Sequence, residues 1–362
     1  MPMMRFAGRN VGDEHPTFFI ADISANHDGD LERAKALIHL AADAGADAAK
    51  FQNFRAAHIV SDHGFRILTR QLSHQASWKR SVSQVYEAAS LPWEWTATLA
   101  AECAVVGITY FSAPYDLAAV DMLDAHMPIY KIGSGDITWP EMIRAVAQKK
   151  KPIFLATGAS NISDVQRAMD VLAEYAVPVC LMQCNTNYTA SRENFRHINL
   201  NVLTAFRVMY PDVVLGLSDH TPGHATVLGA VALGARAVEK HFTDDTSREG
   251  PDHPFSMDPA SWREMVERTR ELELALGSAA KRVADNEVDT VIVQRRCLRA
   301  AHELAAGSTV QRRDVDILRP APAEGIFPYQ LDQVIGMRVR AIIPAGEHLQ
   351  WTHFESSTHP LR

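Results

Sequence analysis

Short apolar segments alternate with longer segments of helical periodicity along most of the chain. A longer and less regular insert, Asn53–Leu91, interrupts this alternation once. The apolar segments predict eight strands, at Thr17–Ile23, Ala46–Gln52, Ile108–Ser112, Ile129–Ile132, Pro152–Ala156, Val179–Gln183, Val213–Ser218 and Ala237–His241. The periodic segments predict eight helices, at Leu31–Ala44, Pro92–Val106, Leu117–His126, Pro140–Gln148, Ile162–Tyr175, Leu200–Tyr210, His224–Leu233 and Pro259–Leu276.

This alternation predicts the fold class. Repeated strand–helix units are typical of a parallel sheet, and eight of them fit an α/β protein with a (β/α)8 TIM barrel. A doubly wound open sheet is the alternative, but no GxGxxG turn follows the first strand. Polar residues fall at or just beyond the C-terminal ends of the predicted strands: Asp22, Lys50, Gln52, Ser112, Lys131, Ser134, Thr157, Asn185, Ser218, His220, Glu239 and His241. That edge of a TIM barrel carries the catalytic residues, so the pattern indicates an enzyme.

The pattern changes after Gly277. Residues 279–294 are charged and are predicted to form a linker with some helix, and residues 1–278 are assigned to the barrel. Residues 295–362 contain an imperfect repeat, Leu304–Val310 and Ile343–Leu349, in which short apolar stretches flank an Ala-Gly turn. We therefore predict a small β-rich C-terminal domain.

Composition narrows the class of protein. The 362 residues are 47% hydrophobic, which supports a sizeable core. The net charge is −7 without a long basic run, so we do not expect a nucleic-acid partner. No apolar run approaches the roughly 20 residues of a membrane span, and the N-terminus lacks the apolar region of a signal peptide. Four cysteines without a CxxC pair indicate reduced thiols, so we expect a cytoplasmic protein.

Two of the predicted strands lead into histidine. Because side chains alternate along a strand, Ser218 and His220 share one face, Glu239 and His241 share another, and Lys240 points away. Two imidazoles beside a carboxylate suit a divalent metal site with open coordination positions. Two histidines in ordinary loops are the alternative, and the repetition of the arrangement favours the metal.

Several motifs, in the same order along the chain, resemble those of sialic acid synthases. They are Ile20–Asp30, Gly45–Gln52, Tyr130–Asp136, Ser218–Thr221, Glu239–Phe242 and Gly250–His253. The C-terminal domain resembles the antifreeze-like (SAF) domain of the same enzymes, including Leu318-Arg319-Pro320 and Gly325-Ile326. The resemblance covers nearly the whole chain.

The resemblance implies a reaction and its partners. Phosphoenolpyruvate (PEP) would condense with an open-chain N-acylated hexose to give a nine-carbon 2-keto sugar acid and phosphate. His220 and His241 would hold a divalent metal, typically Mn²⁺, with Mg²⁺ or Co²⁺ as alternatives. The chain would form a domain-swapped homodimer in which Arg319 of one SAF domain contacts the N-acyl group in the partner's barrel.

The resemblance and the chemistry of PEP together suggest which residues are catalytic and which bind substrate. Asp22 would transfer protons, and Lys50 and Lys131 would bind PEP, whose phosphate and carboxylate need cations and hydroxyl groups. These three form the predicted catalytic set. The predicted substrate-binding residues are Gln52, Ser112, Ser134, Asp136, Thr157, Asn185, Tyr188, Ser218, Glu239, Asp252 and Arg319.

Some positions depart from the family pattern. Asp22 stands where glutamate is usual, and Thr186 stands where asparagine is often found. Ala113 and Ala156 replace hydroxyl residues that usually contact the PEP phosphate. The neighbouring polar residues that could substitute for them are Ser112, Thr157 and Asn185.

The sequence leaves the sugar open. The Gly250–His253 loop resembles neuraminate and legionaminate synthases, whereas Ser24–His27 resembles pseudaminate synthases. N-acetylmannosamine and a 2,4-diacetamido-6-deoxy hexose therefore both remain candidates. Two other functions also remain: an aldolase that forms a Schiff base on Lys50 or Lys131, and a non-catalytic sugar-binding homologue.

Overall fold

The chain contains two compact units, Met1–Gly277 and Ser278–Arg362. The structure, a computed structural model, describes residues 2–68 and 73–355. Residues 69–72 of the predicted insert and 356–362 of the predicted C-terminal domain lie outside the described residues. Within the described ranges, no helix combines the length and the apolar character that crossing a bilayer requires.

The N-terminal unit is a TIM barrel, which confirms the predicted fold class. It begins with an antiparallel hairpin of β1 (Met3–Phe6) and β2 (Arg9–Gly12). The barrel strands are β3 (Phe18–Asp22), β4 (Ala48–Asn53), β5 (Thr109–Pro114), β6 (Tyr130–Ile132), β7 (Ile153–Ala156), β8 (Val179–Cys184), β9 (Val214–Asp219) and β10 (Ala235–His241). They pair in the order β5-β4-β3-β10-β9-β8-β7-β6, and β5 and β6 approach each other to close the barrel.

The parallel register brings distant residues to one rim. β10 pairs with β3 so that His241 lies beside Asp22, and β3 pairs with β4 so that Asp22 lies beside Lys50. β9 pairs with β10 so that Ser218 lies beside Glu239. Parallel strands end at the same edge of the sheet, and hydrogen-bonded neighbours lie about 5 Å apart. The rim therefore concentrates these side chains.

Helices surround the barrel. They are α1 (Leu31–Asp43), α2 (Ala56–Ile59), α3 (Asp62–Ile67), α4 (Val82–Ala89), α5 (Thr96–Val106), α6 (Leu117–Leu123), α7 (Pro140–Gln148), α8 (Ile162–Ala173), α9 (Val202–Met209), α10 (Ala225–Ala232) and α11 (Pro259–Leu276). α1 begins where the Asp30 carboxylate accepts hydrogen bonds from two backbone N–H groups, and α7 begins at a proline that presets the first helical residue. The insert contains α2 to α4, so it is more helical than its sequence pattern indicated.

Strand β10 starts two residues earlier than predicted. Arg236 interrupts the apolar pattern there, and the pairing with β9 shifts register between Ala235 and Ala237. The Arg236 guanidinium donates to the backbone carbonyls of Val231 and Ala235. A charged residue fits in this strand because its head group bonds to backbone oxygen instead of entering the core.

The lower part of the barrel is filled by apolar side chains. Phe6 of the hairpin packs edge-to-face on Phe18 and Phe154, with ring centroids 5.4 and 6.0 Å apart. These side chains belong to one buried cluster that also includes Ile20 and Phe111. The hairpin thus closes the end of the barrel opposite the polar rim, and the polar side chains are confined to the other end.

The C-terminal unit has little regular structure. It contains the helices α12 (Val288–Gln294) and α13 (Leu331–Val334) and the antiparallel strands β11 (Cys297–Ala300) and β12 (Val315–Leu318). The two halves of the sequence repeat meet, because Leu304 and Ile343 form an antiparallel bridge. Gly307 and Gly346 occupy equivalent turns with φ of 76° and 80°, a conformation that favours glycine.

Candidate active site

Four charged side chains from four strands form a cluster at the barrel centre. Lys50 Nζ lies 2.6 Å from Asp22 Oδ2 and 3.6 Å from Glu239 Oε1. Lys131 Nζ donates to the same Glu239 oxygen at 2.9 Å, and Ser218 Oγ donates to it at 3.1 Å. Asp22, Lys50, Lys131 and Glu239 are each at most 4% exposed. Two positive and two negative groups therefore neutralise one another in a water-excluded position.

The pairing fixes the charge of these groups. Burial acts to raise the pKa of Glu239, but Lys131 and Lys50 lower it to about 2. Burial likewise opposes the charged form of Lys50, yet Asp22 and Glu239 raise the pKa of its amine above the usual value. At neutral pH this lysine is an ammonium ion and Glu239 is a carboxylate.

Two histidines lie beside the cluster. The rings of His220 and His241 have centroids 5.4 Å apart. Tyr188 packs 4.4 Å from His220, and Phe255 packs 4.8 Å from His241. Burial and the neighbouring His241 lower the pKa of His220 to about 3, so its imidazole is neutral. His220 Nδ1 lies 3.0 Å from the Asn185 carbonyl oxygen, which can only accept, so Nε2 carries the free lone pair.

These two imidazoles fit a divalent cation. A backbone carbonyl that fixes the tautomer of one histidine is a usual support for a metal ligand. His241 Nδ1 and Asp22 Oδ1 are buried without a hydrogen-bond partner among the described residues. His241 Nε2 also lies 3.5 Å from the second oxygen of Asp22. No group of three or more His, Cys, Asp or Glu side chains with metal-binding geometry occurs in the described ranges, so water and substrate would complete the coordination.

A cavity of about 400 Å³ opens beside the cluster. Six predicted site residues line it: Gln52, Ser134, Asp136, Tyr188, His241 and Asp252. Gln52 donates to Asp22 Oδ2 at 3.1 Å, which connects the cavity wall to the buried charges. Asp252 accepts a 2.5 Å hydrogen bond from Ser24 and lies 3.7 Å from His241 Nδ1. The cavity is thus lined by a predicted metal ligand and predicted sugar-binding residues, and Gln52 connects it to Asp22, the predicted proton-transfer residue.

Three predicted substrate-binding residues bond elsewhere in the protein. Ser112 Oγ donates to Asn53 at 2.5 Å, Thr157 Oγ1 donates to the Met182 carbonyl at 2.9 Å, and Asn185 Nδ2 donates to the His197 carbonyl at 3.3 Å. The Ser112 and Thr157 hydroxyl protons thus serve contacts within the protein, whereas the Asn185 amide uses one of its two N–H donors in this contact. Ser134 Oγ accepts from the Gly158 N–H at 2.9 Å and also forms a side-chain hydrogen bond with the Cys184 thiol. Arg319 belongs to the C-terminal unit, where it is exposed and its Nε donates to the Gln294 carbonyl.

Sequence comparison identifies the family of this barrel. The profile of the NeuB family matches residues 37–281, and the profile of the SAF domain matches residues 295–355. The chain belongs to the NeuB family. Membership makes it an enzyme of the sialic-acid-synthase type, and the resemblance drawn from its motifs is confirmed.

NeuB-family relatives with different product names are about equally similar to this chain. An N,N'-diacetyllegionaminic acid synthase from Legionella pneumophila is 32% identical over 95% of this chain and 96% of its own length. A pseudaminic acid synthase from Campylobacter jejuni is 32% identical over 96% of this chain and 99% of its own. The human N-acetylneuraminate-9-phosphate synthase is 29% identical over 92% of this chain and 91% of its own.

A solved NeuB-family structure has the same fold. The N-acetylneuraminic acid synthetase of Leptospira borgpetersenii superposes with a TM-score of 0.69 at 26% identity, covering 80% of this chain and 96% of that one.

The structure adds residues to which the sequence analysis assigned no role in the site. On the outer side of β9 and β10, Asp219 and Lys240 form a buried ion pair of 2.5 Å behind the two histidines. Phe255, which packs on both imidazoles, lies two residues after the Gly250–His253 motif, and this proximity is the signal that the sequence offers for it. Trp78 and Tyr86 of the insert line the cavity, and no motif marked them.

Proposed function

We propose that this NeuB-family enzyme joins PEP to an open-chain N-acylated hexose and releases inorganic phosphate. The observation that supports the proposal most is the buried set of two lysines and two carboxylates beside two imidazoles, at the rim where TIM barrels carry out catalysis. Relatives named for legionaminic, pseudaminic and N-acetylneuraminic-type products support the same reaction.

The reaction forms a carbon–carbon bond between PEP and the sugar and breaks the bond between C2 of PEP and its phosphate oxygen. The C3 carbon of PEP attacks the aldehyde carbon of the sugar, and the aldehyde oxygen takes up a proton to become a hydroxyl. Water adds to the electron-deficient C2 carbon of PEP and gives up a proton. The bond between C2 and the phosphate oxygen then breaks while the new C2 hydroxyl gives its proton to the departing phosphate and becomes the ketone, which leaves a nine-carbon 2-keto acid and inorganic phosphate.

The side chains of the barrel suit these steps. The ammonium groups of Lys50 and Lys131 bind the phosphate and carboxylate of PEP, and the Ser134 hydroxyl, which lines the cavity, adds a further polar contact. Asp22, which contacts both Lys50 and His241, exchanges the protons. His220 and His241 would hold a divalent metal, Mn²⁺ being our first choice, and when bound it supplies a Lewis acid for the aldehyde oxygen.

The sugar occupies the cavity beside the charged cluster. Gln52, Asp136, Tyr188 and Asp252 line that cavity and offer donors and acceptors for its hydroxyl groups. The reaction chemistry alone does not determine which acyl group the sugar carries or how many hydroxyl groups it has. Under this proposal, either candidate hexose enters the same reaction.

The Schiff-base alternative fits less well. A Schiff base needs a neutral amine, whereas two carboxylates raise the pKa of Lys50. Lys131 is held in an ion pair at 2.9 Å with Glu239. A sugar-binding protein without activity would not require two buried ion pairs beside two imidazoles.

The proposal is tested by phosphate release and by the PEP dependence of a lysine variant. Wild-type enzyme with Mn²⁺ should release one phosphate per 2-keto acid, lose this activity with a chelator and regain it with Mn²⁺. Lys131→Met should raise the KM for PEP about ten- to a hundred-fold, because a charge-assisted contact contributes roughly 1.5–3 kcal/mol.

The matched control is Lys149→Met, which removes a lysine that lies just after α7 and pairs with Asp121. It should leave the KM for PEP unchanged. Product without phosphate, or an unchanged KM for PEP in Lys131→Met, would contradict the proposal.

A further inference from the structure

The cavity has two chemically different walls. The first consists of polar side chains near the ends of the barrel strands and on the adjoining loops, represented by Gln52, Asp136, His241 and Asp252. The second comes largely from the insert between β4 and α5. The insert residues that line the cavity are Phe54, Ile59, His74, Gln75, Trp78, Val85, Tyr86 and Ala89.

The second wall is a continuous row of rings, which we call the aromatic wall: Phe54, His74, Trp78, Tyr86 and Tyr188. Ring centroids lie 4.9 Å apart for Tyr188 and His74, and 5.2 Å apart for His74 and Trp78. The row continues over 6.4 Å from Trp78 to Tyr86 and 5.4 Å from Tyr86 to Phe54. Since Tyr188 also packs on His220, the aromatic wall extends from the predicted metal ligand outward.

The aromatic wall carries no formal charge at neutral pH. Burial lowers the pKa of His74, although Asp252 acts in the opposite direction, so its imidazole is neutral. Burial also raises the pKa of Tyr86, so its phenol keeps its proton. Of the described insert residues that line the cavity, none is Lys, Arg, Asp or Glu.

A substrate surface that meets this wall exchanges water for aromatic carbon. A hydroxyl group placed there loses hydrogen bonds to water, and recovering them requires one of the few polar atoms of the wall. A methyl group gains from leaving water, and so does the methyl end of an acylamino group, which can pack on a ring face. The wall therefore favours a substrate tail with few hydroxyls over one with many.

We propose that this site prefers a hexose in which a terminal methyl and a second acylamino group replace hydroxyls. Such a sugar is a 2,4-diacetamido-6-deoxy hexose, and the disfavoured one is N-acetylmannosamine. The inference rests on the proposed function, since it concerns the sugar that enters the same reaction. The bond changes at the aldehyde carbon are identical for the two sugars, so discrimination arises from the remote end of the substrate.

The first experiment compares sugars that differ at one substituent. The purified full chain is given PEP and Mn²⁺ with N-acetylmannosamine, its 6-deoxy analogue, or stereoisomers of the 2,4-diacetamido-6-deoxy hexose, and phosphate release and product mass are measured. We expect kcat/KM to rise each time a hydroxyl is replaced, first by the methyl end and then by the second acylamino group. The value for the best diacetamido sugar should be at least about ten-fold higher than that for N-acetylmannosamine, since one apolar group in a pocket changes kcat/KM by about that factor or more.

The outcomes separate the two proposals. A kcat/KM for N-acetylmannosamine that equals or exceeds the others would overturn the sugar preference and leave the proposed function intact. Absence of phosphate release with every sugar would overturn the proposed function and the preference with it.

The second experiment assigns the preference to the wall. Trp78→Gln keeps a side chain but makes it polar, whereas Trp78→Phe keeps an aromatic surface. Trp78→Gln should lower the ratio of kcat/KM values between the diacetamido sugar and N-acetylmannosamine about ten-fold. Trp78→Phe should keep most of the ratio, and both variants should retain the KM for PEP and the wild-type melting temperature.

An equal ratio in Trp78→Gln and wild type would show that the wall does not set the preference. If Trp78→Gln fails to fold, Tyr86→Phe provides a second measurement. Removing that hydroxyl from the wall should keep or raise the ratio of kcat/KM values between the diacetamido sugar and N-acetylmannosamine. A lower ratio would show that the Tyr86 hydroxyl forms a hydrogen bond with the diacetamido sugar, and this result would overturn the inference. The wild-type comparison of sugars decides the preference in either case.

Discussion

At the scale of single residues, Asp136 is a cavity-lining carboxyl whose pKa is changed by its position. Its Oδ2 atom is buried without a partner among the described residues. Burial raises the pKa of Asp136 to about 6, and the charge of Lys131 offsets only part of that effect. A carboxyl whose pKa is raised on folding destabilises the native state when it ionises. The resulting decrease in the free energy of unfolding develops as the pH rises from about 4 to about 6, and it is complete at higher pH.

This perturbation predicts a pH-dependent gain in stability. Asp136→Asn should raise the free energy of unfolding relative to wild type by on the order of 1–3 kcal/mol at pH 7.5, and the gain should shrink toward pH 4.5. Urea unfolding at the two pH values measures it. Asp170→Asn, at an exposed position on α8, serves as the control and should show no such trend. The same difference between Asp136→Asn and wild type at both pH values would contradict the prediction.

At the scale of secondary-structure elements, a buried ion pair joins the two strands that carry the histidines. Asp219 Oδ2 accepts from Lys240 Nζ at 2.5 Å, from Thr221 Oγ1 at 2.7 Å and from Thr226 Oγ1 at 2.8 Å. Lys240 Nζ also donates to the Thr221 carbonyl at 2.6 Å. Since Asp219 precedes His220 and Lys240 precedes His241, this network holds the ends of β9 and β10 together.

Removing one partner of this pair should cost more than removing both charges. Lys240→Met leaves a buried carboxylate unpaired and should lower the free energy of unfolding by about 3–5 kcal/mol. Adding Asp219→Asn removes that charge and keeps an oxygen for the two threonine hydroxyls. The double variant should therefore recover a substantial part of the loss in urea unfolding. A double variant as unstable as the sum of the two single variants would show that the charges are not coupled.

At the scale of the whole molecule, the resemblance to sialic acid synthases predicts that two chains build each site. Arg319 would enter the partner's barrel, and a mixture of two inactive variants tests this. One chain carries His220→Ala with an intact Arg319, and the other carries Arg319→Ala with an intact barrel. Sharing of sites should restore about a quarter of wild-type activity, since random exchange makes half of the dimers mixed and each of these holds one complete site.

The controls for this mixture are the two variants measured alone, each carried through the same subunit exchange. Neither should recover activity, because every site in a dimer of one variant keeps its lesion. A mixture that stays as inactive as its components would contradict the shared site.

The sequence by itself determined the barrel and the positions of most charged residues on its rim. Apolar segments of strand length alternating with helical periods allow few folds other than a parallel sheet covered by helices. In such a sheet every strand ends on the same edge, so Lys50, Lys131, His220 and His241 could be placed near one another before any contact was known. The hydrophobic periodicity of each segment and the shared direction of the strands are enough to predict this placement.

Only the tertiary structure decided which of these groups touch. Lys131 and Glu239 are 108 positions apart, and their ion pair depends on barrel closure and on the direction of each side chain. The hydroxyls of Ser112 and Thr157 lie at the predicted rim, yet the fold gives them donor roles within the protein. In the aromatic wall, His74 packs against both Trp78 of the insert and Tyr188, although the sequence pattern of the insert predicts no strand or helix that would fix its path. Contacts between distant segments are set by packing in three dimensions, and a one-dimensional pattern does not encode them residue by residue.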